Sequence, residues 1–187
     1  MKFSQLAIPD IVLGEPAIIE DERGYFFESF NLEKFQYGID REITFVQSNE
    51  SFSKQNVIRG LHYQIRKPQG KLVRVVNGTV FDIAVDLRKD SSTFGQWAGE
   101  LLSAENHRQL WIPEGFAHGF QVISATATLQ YMVTDYWYPQ YDRCIRFDDP
   151  DIGIAWKNMT LIHANASEPL ISLKDKAGHA LAVAEVF

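Results

Sequence analysis

Apolar and polar positions alternate along this chain in short runs, each closed by Gly, Asn or Asp. The clearest stretch lies between Lys71 and Arg88. There Phe81, Ile83, Val85 and Leu87 alternate with Val80, Asp82, Ala84 and Asp86. This is the period of two of a β-strand, with the larger apolar side chains on one face. Asn77-Gly78 separates this run from Leu72 to Val76. Such a pair supplies the positive φ angles of a tight turn, so the two runs are predicted to pair as an antiparallel hairpin. Further strands are predicted at 25–30, 44–52, 58–64, 97–102, 109–112, 116–123, 127–134 and 145–147. Asn31 is placed to cap a short helix over 32–37, and Ser103 another over 104–108. No window carries a sustained stripe at the helical period. Many short strands with turn signals, without a linker or an internal repeat, predict one all-β domain over residues 1–187, a sandwich or barrel with a few short helices. From about Asp148 the pattern is irregular, and this part is expected to pack across the barrel.

Composition narrows the class. At 187 residues, 45% hydrophobic and 22% charged, the chain is long enough to bury a real core. Its apolar runs are too short for a membrane-spanning helix. Met1 to Asp10 has no continuous apolar stretch and no small-residue cleavage site, so it does not read as a secretory signal. Cys144 is the only cysteine, which excludes an intrachain disulfide and makes the cytoplasm the expected compartment. A formal net charge of -6 argues against nucleic acid as a partner. Cations nevertheless gather at Arg59, Arg66, Lys67, Lys71 and Arg74, which is either a solvated strip or a local anion site.

Two stretches set dense polar groups between apolar strands: Arg59 to Gln64 followed by Gln69-Gly70-Lys71, and Trp111 to Phe120. Each contains a histidine, His62 and His118. A lone histidine on a strand is more often a hydrogen-bonded structural residue than a catalyst. Small β-barrels that hold a metal commonly use two histidines one residue apart, a carboxylate and a distant histidine. Here the second position of that pair is Gln64, and two nitrogen donors without a matched carboxylate make a poor site, so no metal is expected. Cys144, between Arg143 and Ile145, reads as a small hydrophobe rather than a nucleophile. Neither a Gly-X-Ser-X-Gly elbow nor a phosphate-binding loop is present.

Several longer motifs, in collinear order over nearly the whole chain, carry a resemblance. They are Asp21-Glu22-Arg23-Gly24-Tyr25-Phe26-Phe27-Glu28-Ser29-Phe30-Asn31, Phe45 to Asn49, Arg59 to Gln64, Gly70 to Arg74, Val80 to Arg88, Trp111 to Phe120, Tyr131 to Pro139 and Ser172-Leu173-Lys174-Asp175. Together they resemble the dTDP-4-dehydrorhamnose 3,5-epimerases. The resemblance implies a cupin-like, jelly-roll β-barrel acting as a homodimer with strands exchanged at the interface, without a cofactor. The implied substrate is dTDP-4-keto-6-deoxy-D-glucose, on the route to dTDP-L-rhamnose. It implies His62 as carbon base oriented by Asp175, Tyr131 as carbon acid and Lys71 as stabiliser of the enolate oxygen. For binding it implies Arg23, Phe26, Glu28, Gln47, Ser48, Asn49, Arg59, His118, Tyr138, Asp142 and Lys174. Two rivals stay open: an epimerase of a related deoxyketosugar that inverts one carbon, and a non-catalytic sugar-nucleotide-binding barrel. Alternation places Gln47 with Asn49, and Phe26 with Glu28, on common faces. Arg59 and His62 are three apart, so a regular strand would turn them to opposite faces; either a bulge intervenes or one contacts the ligand differently. Between Trp156 and Asp175 the chain is several residues longer than the usual family spacing, with 157–168 absorbing the difference.

Overall fold

A computed structural model describes residues 1–156 and 169–187. Two antiparallel sheets face each other. The first runs in the order β1 (Lys2–Gln5), β2 (Val12–Glu15), β10 (Gln109–Ile112), β7 (Lys71–Asn77), β12 (Thr126–Val133), β5 (Gln47–Lys54). The second runs β13 (Asp142–Cys144), β6 (Ile58–Gln64), β11 (Phe116–Val122), β8 (Thr79–Asp86), β9 (Trp97–Ser103). A small hairpin, β3 (Ile19–Asp21) with β4 (Gly24–Phe26), stands apart from both. This is the expected all-β, cupin-like jelly roll.

Between the sheets Val73, Val75, Leu110 and Leu129 of the first meet Val80, Ala84, Phe120 and Leu102 of the second. The outer face of the second sheet is covered as well. Phe81, Ile83, Val85 and Leu87 pack with Ile152 and Trp156, and Leu181, Val186 and Phe187 lie against them. The irregular C-terminal part therefore does cross the barrel, and it is why β8 and β11 are buried on both faces. On the outer face of the first sheet, Leu72 and Trp111 pack with Phe35 of helix α1 (Leu32–Ile39). Asn31 caps α1 as predicted, its side-chain oxygen accepting from Lys34 N at 3.1 Å.

The predicted hairpin at Asn77-Gly78 does not form. β7 pairs with β10 and β12, and β8 with β9 and β11. The turn is real, with Gly78 at φ 76°, but it hands the chain from one sheet to the other. Thr79 N donates to Ser124 Oγ and Thr79 O accepts from Ile123 N. Both edges of β7 and of β8 are taken by other strands, so the two runs meet through side chains across the core instead of through a ladder. The predicted helix after Ser103 is also absent. Ser103 Oγ accepts from Asn106 N while Asn106 Oδ1 accepts from Ser103 N, closing a turn. His107 then takes φ 53°, and β10 begins two residues later. The strand expected at 145–147 lies instead at Asp142–Cys144, and that expected at 25–30 is only Gly24–Phe26. A short helix, α2 (Leu173–Lys176), capped by Ser172 Oγ on Asp175 N, brings the chain back to β6. The length difference expected over 157–168 lies outside the described residues.

Candidate active site

The site is made possible by an irregularity between β6 and β11. His118 is opposite His62 and Phe120 opposite Arg59, so three steps on β6 match two on β11. The extra residue is a bulge. Gly60 sits there at φ 124°, and a Cβ on it would lie 2.6 Å from Gly119 Cα. Only glycine fits both the conformation and the close approach. The bulge resolves the spacing conflict: Arg59 and His62 both line one cavity of about 390 Å³.

The cavity takes side chains from both sheets. His62 enters from β6 and His118 from β11; Lys71 and Tyr131 enter from β7 and β12 opposite. His62 Nε2 lies 2.9 Å from Asp175 Oδ1, delivered by α2. His62 Nδ1 has no hydrogen-bond partner among the described residues. Burial would raise the Asp175 carboxyl, but the bonds from His62, Gly60 N and Ser172 outweigh it and hold it below its ordinary value. A carboxylate on one ring nitrogen fixes the tautomer that leaves a lone pair on the other.

Lys71 is almost wholly buried, with Nζ donating to His62 O at 3.2 Å. Burial pushes its ammonium down to about 8, against the pull of the Asp142 and Asp82 carboxylates. Burial raises the Tyr131 phenol, the Arg59 charge opposing and the Asp142 charge adding, so it stays protonated at neutral pH. His118 Nε2 holds Asp82 Oδ2 at 2.9 Å. Arg59 donates to Ser53 Oγ and Phe52 O and forms no ion pair with a described residue. Lys174 and Asp142, paired with each other, close one side. The cavity thus presents an oriented imidazole, a phenol on the facing sheet, an ammonium and a guanidinium.

Comparison with known proteins decides the family. The sequence profile described as dTDP-4-dehydrorhamnose 3,5-epimerase matches residues 5–183. The chain is 52% identical over 187 residues to the dTDP-4-dehydrorhamnose 3,5-epimerase of Pseudomonas aeruginosa, covering 100% of this chain and 99% of the other. This chain belongs to the dTDP-4-dehydrorhamnose 3,5-epimerase family. Its fold superposes with a TM-score of 0.91 on the Legionella pneumophila 3,5-epimerase solved with dTDP-4-keto-L-rhamnose, at 44% identity over 97% of this chain and 93% of that one. It is also similar, at 32% identity and TM-score 0.87, to a 3′-monoepimerase from Streptomyces bikiniensis solved with dTDP-quinovose, over 99% and 89% of the two chains.

Of the residues that the family resemblance singled out, His62, Lys71, Tyr131, Asp175, Arg59, His118, Asp142 and Lys174 line the one cavity. The others do not. Arg23, Phe26 and Glu28 lie exposed on and just after the β3–β4 hairpin, Arg23 paired with Asp21 and Glu28 with Lys34. The shared face expected for Phe26 and Glu28 is lost because β4 ends at Phe26. Gln47 and Asn49 do share a face of β5, bonded to each other at 2.7 Å. Ser48, on the other face, lines a second, smaller cavity that Tyr131 also borders. Tyr138 OH meets Lys67 Nζ at 3.4 Å, outside the lining. Of the cationic strip, Arg59 and Lys71 enter the cavity while Arg66 and Lys67 face solvent. Sequence reading did not single out Asp82 or Trp137, and noted Gln69 only as part of a polar stretch. For Asp82 a signal exists: it is a carboxylate among apolar residues on the inward face of β8.

Proposed function

We propose that the chain inverts C3 and C5 of dTDP-4-dehydro-6-deoxy-D-glucose, giving dTDP-4-dehydro-L-rhamnose for dTDP-L-rhamnose synthesis. The observation that carries this reading is the placement of His62 and Tyr131 on facing sheets of one cavity, with Lys71 in the same lining. The C4 carbonyl acidifies the protons on both its neighbours. His62, with Asp175 behind it, takes a proton from C3 or C5, and the electron pair moves onto the C4 oxygen. The Lys71 ammonium stabilises that enolate oxygen. Tyr131 returns a proton to the opposite face of the carbon, the phenolate is reprotonated from solvent, and the His62 imidazolium releases its proton to solvent. No redox change occurs, and no cofactor enters any of these steps. Arg59 suits the diphosphate, since a guanidinium fork binds phosphate oxygens bidentately.

The working unit in this reading is a homodimer with exchanged strands. Its support is the exposed hairpin: Ile19, Tyr25 and Phe26 are all large, apolar and solvent-facing, next to Arg23 and Glu28. A partner's cavity would cover such a hairpin and use those charges. The reaction belongs to the cytoplasm, consistent with a single buried free cysteine and with no described helix able to cross a membrane. Similarity to a 3′-monoepimerase keeps one other reading specific: inversion at one carbon only. Product analysis by NMR of purified protein with the 4-keto sugar tests both. Inversion at both C3 and C5 is expected. Inversion at one carbon selects the second reading, and binding without turnover refutes both.

A further inference from the structure

Cys144 has no part in the mechanism above, yet it is not an isolated core thiol. β13 runs antiparallel to β6 and sets Cys144 directly opposite His62, while α2 brings in Asp175. A ring nitrogen of His62, Cys144 Sγ and a carboxylate oxygen of Asp175 all lie within 4.8 Å of one another. We propose that His62, Cys144 and Asp175 form a binding site for a thiophilic divalent cation of the zinc and cadmium class, whose occupation reversibly blocks the enzyme.

Zinc bonds of about 2.0–2.3 Å to N, O and S put tetrahedral ligands roughly 3.4–3.8 Å apart. Reaching that geometry asks for a contraction of about 1 Å at the widest pair, within the reach of side-chain rotation. The His62–Asp175 pair, at 2.9 Å, has only to open slightly. One thiolate, one imidazole and one carboxylate favour zinc or cadmium over magnesium or calcium, which prefer all-oxygen shells. His62 and Asp175 line the cavity and the His62 side chain is 29% exposed, while Cys144 is buried outside that lining, so an ion would enter from the cavity side. The pairing of histidine with a remote thiol and carboxylate is invisible in sequence spacing, because the three residues come from β6, β13 and α2.

Binding is a proton exchange, without redox. The Cys144 thiol, which burial pushes up to about 12, loses its proton to solvent as the sulfur bonds the ion. His62 binds as neutral imidazole through Nε2, the nitrogen facing Asp175, and the proton held there moves to Nδ1. The inhibitory consequence rests on His62 being the base, since the ion takes its carboxylate partner and leaves the remaining ring nitrogen protonated.

The site is tested with cadmium and zinc on the intact protein. Because Cys144 is the only cysteine, the ultraviolet thiolate-to-cadmium band reports this residue alone. The expected result is a band saturating at one ion per chain, reversed by EDTA, with cadmium affinity falling about tenfold or more in His62→Gln. Zinc should inhibit turnover of the wild type. Cys144→Ala or Cys144→Ser, whichever keeps the wild-type melting temperature, should retain basal activity and be inhibited at least about tenfold more weakly. Absence of the band, unchanged affinity in His62→Gln, or equal inhibition of the Cys144 variants overturns the site. A His62-dependent cadmium band at a concentration of cadmium that leaves turnover unchanged overturns the proposed block.

Discussion

The two histidines that line the cavity each hold a carboxylate at the same separation, 2.9 Å, and the two pairs differ in nearly everything else. His118 and Asp82 come from adjacent strands of one sheet, and both side chains are almost sealed, at 9% and 0% exposure. Asp82 Oδ1 is buried without a partner among the described residues. His62 and Asp175 come from a bulged strand and a short helix far along the chain, and the His62 ring is 29% exposed. A carboxylate partner therefore does not by itself make a base. In the proposed mechanism, what sets His62 apart is a ring that borders the cavity and a second nitrogen, Nδ1, buried without a partner among the described residues and so left free to take a proton. The buried pair holds the His118 imidazole in one orientation at the cavity wall.

Breaking the open pair should have the largest effect. His62→Ala should lower epimerisation and exchange of the C3 and C5 protons with solvent by about two to four orders of magnitude, with nucleotide-sugar binding retained. Turnover within a few-fold of wild type would eliminate His62 as base. Tyr131→Phe separates the acid from the base. The phenol goes while the ring and its packing remain, so deprotonation continues and His62 returns the proton to the face it left. Run in D2O, this variant should incorporate deuterium with inversion reduced by about 10²-fold or more. Inversion at the wild-type rate would make Tyr131 a packing or binding residue.

The two carboxylates should then fail in opposite ways. Asp175→Asn leaves the cavity intact but favours the wrong tautomer of His62, so kcat should fall by up to about 10⁴-fold with little change in melting temperature. Asp82→Asn sits at full burial, and weakening its bond to His118 should cost about 1–3 kcal/mol of stability in a denaturant titration, with a smaller loss of kcat. If Asp82→Asn abolishes turnover while Asp175→Asn spares it, the assignment of the two pairs is reversed.

The same contrast shows what was legible in the sequence. β6 and β10 have the predicted ends because turn residues bound them, and Asn31 caps its helix through local chemistry alone. His62, Lys71 and Tyr131 were found through motifs. The conflict between Arg59 and His62 was itself a signal, since strand parity demanded the bulge that Gly60 and Gly119 permit. The pairing of β7 and β8 was not legible, because Asn77-Gly78 specifies a reversal without specifying which edges remain free. β1 and β2 went unseen for another reason: Lys2–Gln5 is largely polar and Val12–Glu15 does not alternate. The bond of Asp82 depends on tertiary closeness, which no spacing encodes; that of Asp175 was reached only through the family resemblance.

Arg59→Ala sharpens the comparison elsewhere in the cavity, where the role proposed for the charge is binding instead of proton transfer. Losing charge-assisted hydrogen bonds of about 1.5–3 kcal/mol should weaken binding of dTDP alone by roughly ten- to a hundredfold. Unchanged dTDP affinity would return Arg59 to its contacts with Ser53 and Phe52.

The smallest effect is a pH dependence, and it tests Lys71, which touches the open pair through the His62 carbonyl oxygen. Burial lowers its ammonium from 10.5 to about 8. The charged form is the one that stabilises an enolate, so kcat/KM, which reports the free enzyme, should halve near pH 8 and fall about tenfold for each further unit. An anionic intermediate favours the ammonium, so the corresponding limb of kcat should lie at higher pH. Stability should move the other way. Between about 8 and 10.5 the folded chain holds this proton less often than the unfolded chain does, so the Lys71 contribution makes unfolding harder as pH rises through that window. Lys71→Gln should be slower at neutral pH and should lose both the alkaline limb and that rise in stability. An alkaline limb that persists in Lys71→Gln belongs to another group, and the enolate would then need a different source of positive charge.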